Sequence, residues 1–128
     1  MDYYFKTTFE GDFNQSIDKV KDALKTEDFG VLTEIDIKKT MKDKLDANFN
    51  NYIILGACNP PFAHEALKTE NKIGTMLPCN VIVQEIENGI IEVAAVNPQA
   101  SMQAVKNKDL ASIASEISTK LKNVLKLL

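Results

Sequence analysis

The sequence predicts an α+β fold, an antiparallel sheet of about five strands with helices gathered on one face. Three observations carry this. Asn88-Gly89 separates two apolar-rich runs, and Asn-Gly favours the positive φ angles of a tight hairpin turn. Leu110, Ile113, Ile117, Leu121, Val124, Leu125 and Leu128 form one apolar stripe at helical spacing. Upstream, short runs of strand and helix character alternate.

The elements read in order as follows. Tyr3 to Phe9, rich in aromatics and threonine, is a strand. Asp12 offers a helix cap, with Gln15 three residues on. Phe13, Ile17, Val20 and Leu24 continue at helical spacing until Phe29-Gly30. Val31, Thr33, Ile35 and Ile37 alternate with more polar positions, a second strand. Lys38 to Leu45 follows as a short helix with Ile37, Met41 and Leu45 on one face. The continuous apolar run Tyr52 to Ala57 reads as a strand covered on both faces. Asn59 is placed to cap a helix opening at Pro60-Pro61 and running to about Thr69. The hairpin strands are Cys79 to Glu87 and Ile90 to Val96, with Asn97-Pro98 ending the second. Lys120, Lys122 and Lys126 near the end of the terminal helix suit its dipole.

Composition narrows the function classes. The 128 residues suit a single domain spanning 1–128, large enough to fold without a metal or disulfide. A net charge of -3 and the absence of arginine argue against nucleic acid, anionic membranes and bidentate phosphate clamps. No apolar stretch approaches the ~20 residues of a membrane span. The first residues lack a basic region followed by an apolar run. The expectation is a cytoplasmic protein whose two cysteines are free thiols.

Three segments carry a family resemblance: "DFGVLTEIDI", "ILGACNPPFAHEAL" and "GTMLPCNVIV", followed by "AAVNPQASM". Through them the chain resembles the small prokaryotic proteins of domain of unknown function 302, over nearly its whole length. The resemblance implies a fold of the TATA-box-binding-protein class, with strand and helix followed by four antiparallel strands and a closing helix. It also implies a homodimer. It supplies no catalytic residues, because the activity of that family is not established.

Both cysteines and the one histidine fall in these segments. Cys58 ends one strand and Cys79 opens another, so they share a rim of the sheet only if those strands run antiparallel, as the implied fold has them. Parallel strands of six residues would hold them about 20 Å apart. Cys58, Asn59, His64, Cys79 and Asn80 are therefore the candidate ligand or thiol site. Cys58 precedes a helix N-terminus, which favours a thiolate. Cys58, His64 and Cys79 together would suit zinc or copper(I), with Met76, water or a partner chain as fourth ligand. The motif has neither Cys-x-x-Cys spacing nor a histidine pair, and buried cysteines also serve as small apolar packing residues. These residue types suit packing, thiol chemistry and metal binding alike.

A two-residue turn at Asn88-Gly89 would set Glu85 opposite Glu92, like charges relieved by a neighbouring lysine such as Lys6. With Val81, Val83, Ala94 and Val96 they would form the face turned from the helices. Ile82, Ile86, Ile91, Val93 and Ala95 would pack on the helices. A raised carboxylate pKa at Glu85 or Glu92, for acid–base work, is the sharper expectation. The leading reading is a non-enzymatic homodimeric module with a small-ligand pocket near Cys58, His64 and Cys79. The alternatives are a thiol redox or soft-metal protein, and a purely structural interaction domain.

Overall fold

A computed structural model describes all 128 residues. Five strands, β1 (Tyr4–Glu10), β2 (Gly30–Asp36), β3 (Tyr52–Cys58), β4 (Cys79–Glu87) and β5 (Ile90–Val96), form one sheet. Their order is β1-β5-β4-β3-β2, and every neighbouring pair is antiparallel. The helices are α1 (Phe13–Thr26), α2 (Ile37–Leu45), α3 (Pro60–Thr69), the single turn α4 (Pro98–Ser101) and α5 (Leu110–Lys126). The predicted fold class and order of elements are therefore observed.

The core lies between one face of the sheet and helices α1 and α5. Ile17, Val20 and Leu24 of α1 and Ile117, Leu121 and Val124 of α5 meet Leu55, Val81, Val83, Ile91 and Val93 of the sheet. Both helices bury the stripe their periodicity predicts. Asp12 caps α1, its carboxylate accepting from the Gln15 N–H at 2.9 Å. Asp36 caps α2 likewise through Lys39.

Three details depart from the sequence reading. The run Tyr52 to Ala57 is fully covered on one face only: Ile53, Leu55 and Ala57 are buried, whereas on the other face Tyr52 and Ile54 are half-buried and only Gly56, against Thr33 and Pro78, is buried. A continuous apolar run does not by itself say how many of its faces have partners. Asn59 occupies the cap position of α3 but makes no capping bond. Its amide donates instead to the Glu27 carbonyl at 3.0 Å, tying the end of β3 to the end of α1.

The third departure is in the hairpin. Only Gly89 takes a positive φ, +81°, so the turn is not the mirror-image type that needs two such residues. The register shifts between Glu85 and Glu87. This bulge moves every β4 side chain upstream of it to the other face, since side-chain direction alternates with period two. Val81 and Val83 point into the core, and Ile82 faces away with Ala94. Glu92 stands opposite Gln84, not Glu85, and accepts from its amide at 3.0 Å.

At the far end of β5 the buried Asn97 ties three segments to the strand. Its N–H donates to the Tyr3 carbonyl at 2.8 Å and its side-chain amide to the Asp2 carbonyl at 3.0 Å. Its side-chain oxygen accepts from the Gln99 N–H of α4 at 3.2 Å and the Ser118 hydroxyl of α5 at 3.1 Å.

Candidate functional site

β3 and β4 run antiparallel with Ala57 opposite Cys79, so both cysteines lie at the same rim of the sheet. There a cavity of about 280 Å³ opens between that rim, α3 and α5. Cys79, Ala57 and Cys58 line it from the sheet; Phe62, Ala63 and Ala66 from α3; Ile113, Ala114 and Ile117 from α5; Pro98 and Met102 from the α4 region. Fourteen of its 17 lining residues are hydrophobic. The lining carries no acidic or basic side chain.

The local sequence explains this wall. Two prolines in the first turn start α3 directly at the strand end. The helical period then turns Phe62, Ala63 and Ala66 inward, the alanines leaving room where larger side chains would fill the space. Outside the cavity, Lys120 of α5 lies 3.5 Å from Glu27, with its ammonium 5.8 Å from the centre of the Phe62 ring.

The predicted site residues separate into two groups. Cys58, Asn59 and Cys79 line the cavity. His64, one residue beyond Ala63, is exposed and points away from it, alongside Glu65 and Lys68, which pair at 2.9 Å. Met76 is exposed and absent from the lining. No three metal-ligating side chains converge anywhere in the chain, so the expected set Cys58, His64 and Cys79 is not assembled. Asn80, next to Cys79, falls on the opposite face of the sheet by strand alternation.

Electrostatics separates the candidates further. Burial pushes the Cys79 thiol up to about 11, and the nearby Cys58 adds to the shift. Cys79 is therefore a neutral thiol at ordinary pH, the reverse of an activated nucleophile. Glu85 is also reversed from expectation. The Gly89 N–H at 2.9 Å and the Asn51 amide at 2.8 Å both donate to its carboxylate. They hold its pKa below the usual carboxylate value. Glu85 fastens the hairpin tip and does not act as a raised-pKa acid.

Sequence reasoning missed the cavity walls. The α5 stripe was legible as a packing face, but Ile113, Ala114 and Ile117 also border open space. The signal available was the run of small residues, Ala63 and Ala66, on the inward phase of α3.

The fold and cavity define a class: a small α+β domain whose single sheet carries a lined apolar cleft at one rim. The chain belongs to the family described as domain of unknown function DUF302, whose model matches residues 5–128. It is similar in structure to an uncharacterized conserved DUF302 protein from Bacillus stearothermophilus, known from a crystal structure. The two share 26% identity over 98% of this chain and 97% of that one, with a TM-score of 0.89. No curated protein matches the chain. No helix is long and apolar enough to cross a membrane.

Proposed function

We propose that this domain binds a small, uncharged, apolar molecule in the cavity at the cysteine rim, and does so as a homodimer. The observation that carries the reading is the cavity's lining, overwhelmingly hydrocarbon with two thiols and no charge. An apolar cavity of about 150 Å³ is known to admit benzene, so one near twice that size suits a two-ring aromatic or a short alkyl chain. A charged group would have to stay at the mouth, since nothing inside compensates its desolvation.

The uncharged two-ring probe 1-aminonaphthalene tests this by its fluorescence. Saturable one-to-one binding is expected, weakened at least tenfold by Ala63→Phe, which fills the cavity from α3. Absence of saturable binding, or equal binding by a folded Ala63→Phe variant, removes the proposal. The thiol redox or soft-metal reading has less support, because Cys79 is held neutral and no third ligand stands nearby.

The dimer is supported by the β2 edge. Helix α2 buries none of its residues, and Leu32, Ile35, Leu45 and Phe49 are exposed around it. An edge strand with apolar neighbours is a surface that chains commonly cover. Light scattering should give twice the chain mass, and Leu45→Glu should shift the protein to monomer. A monomeric native protein at high micromolar concentration would count against the dimer.

A further inference from the structure

The face of the sheet turned away from α1 and α5 holds a second site, of different chemistry. A groove of about 470 Å³ runs over it. Ala94 and Ile82, register partners on β5 and β4, are among the residues that line it. Tyr3 and Tyr4 approach from the β1 side with their rings 4.8 Å apart, edge to face. Tyr52 approaches from β3, three places away in the strand order, with Phe49 against its ring at 6.0 Å. Between these aromatic walls lie two opposite charges. The Glu92 side chain is 18% exposed, and the Lys6 ammonium stands 3.9 Å from its carboxylate, too far for a hydrogen bond.

We propose that this groove binds a small zwitterion of the α-amino-acid type, its ammonium on Glu92, its carboxylate toward Lys6 and an apolar side chain against the tyrosines. The charge pattern selects that class. A simple cation drawn to Glu92 meets Lys6, and a simple anion drawn to Lys6 meets Glu92. A molecule carrying both signs satisfies each side chain and leaves no like charges in contact. The Lys6–Glu92 pair is exposed on its lysine side and loosely held, so a ligand's charges can insert with little competition. Gln84 holds the Glu92 carboxylate in place from the neighbouring strand. Aromatic faces beside a carboxylate also favour an ammonium group. The Tyr52 hydroxyl is raised in pKa by burial, then by Glu92 and Tyr3.

The protein carries its own reporter. It has three tyrosines and no tryptophan, and all three tyrosines line this groove. Tyrosine emission of the native chain, titrated with L-leucine, should change saturably. N-acetyl-leucine, lacking the ammonium, and leucinamide, lacking the carboxylate, should each bind at least tenfold more weakly. Glu92→Gln and Lys6→Met should each abolish the response to leucine, and Ala63→Phe in the other cavity should leave it intact. No saturable response to leucine into the tens of millimolar overturns the proposal. So does equal affinity for leucinamide, or an emission change that follows protein concentration alone and assigns the face to a second copy. Lys6 is exposed and outside the core, so Lys6→Met keeps the test decisive should Glu92→Gln fold poorly.

Discussion

Gly56→Ala is expected to lower stability by about 2 kcal/mol, the middle of the range for overpacking a filled site. Gly56 sits on β3 opposite Thr33 and Asn80. A β-carbon there would run into the Thr33 hydroxyl and come within 2.8 Å of the Pro78 ring. The threonine can rotate away, but the proline ring cannot. The strain therefore passes to the backbone entering β4, beside Cys79 and the cavity floor. A thermal midpoint lower by roughly 8 °C is the expected measurement for a domain of this size. Adding Thr33→Ala should recover only part of the loss, because the proline contact remains. An unchanged midpoint for Gly56→Ala, or full rescue by Thr33→Ala, would contradict the close approach of the Pro78 ring.

The second large effect is an alkaline one. The Cys79 thiol has a pKa of about 11 in the folded chain, against 9.0 for an ordinary thiol. Between those values the unfolded state has released its proton while the folded state keeps it. Stability must therefore fall as pH rises through that window, and below it the group has no effect on the balance. A shift of this size corresponds to about 2 to 3 kcal/mol once both states are ionised. Tyr52, also raised, contributes with the same sign. Denaturant unfolding under reducing conditions at successive pH values should show wild type losing this much more than Cys79→Ala. Parallel pH profiles for the two proteins would mean that Cys79 is not desolvated. The same shift bears on chemistry: oxidation or alkylation through the Cys79 thiolate would have to proceed from a very small ionised fraction.

Local sequence signals reported local structure well and long-range geometry unevenly. Asn88-Gly89 located the hairpin, because glycine's freedom at positive φ is a property of the residue itself. It did not reveal the bulge. Glu85 is fastened by Asn51, which immediately precedes β3, 34 residues away in the chain. Without the bulge, the spacing exchanges the two faces of β4 and sets Glu85 against Glu92. The shared rim of Cys58 and Cys79 was legible only through the antiparallel strands that the family resemblance implies, since the strand boundaries alone allow either direction. His64 was not, although the helical period of α3 held the answer. Once Phe62 and Ala66 are taken as the inward phase, His64 and Lys68 fall outward. The tyrosine groove lay beyond such reasoning, because Tyr3, Tyr4 and Tyr52 meet only through the strand order β1-β5-β4-β3.

Asn97 has a mechanical consequence. Its backbone holds the start of β1, while its side-chain oxygen holds both α4 and α5. Pro98 and Ile117, the next residue on one side and the neighbour of Ser118 on the other, border the cysteine-rim cavity, whereas Tyr3 borders the groove on the reverse of the sheet. The two recesses therefore share a rivet. A guest that pushes α4 outward strains the Gln99 N–H bond to a side chain that also ties the N-terminal residues and α5, so widening at that end costs a buried hydrogen bond.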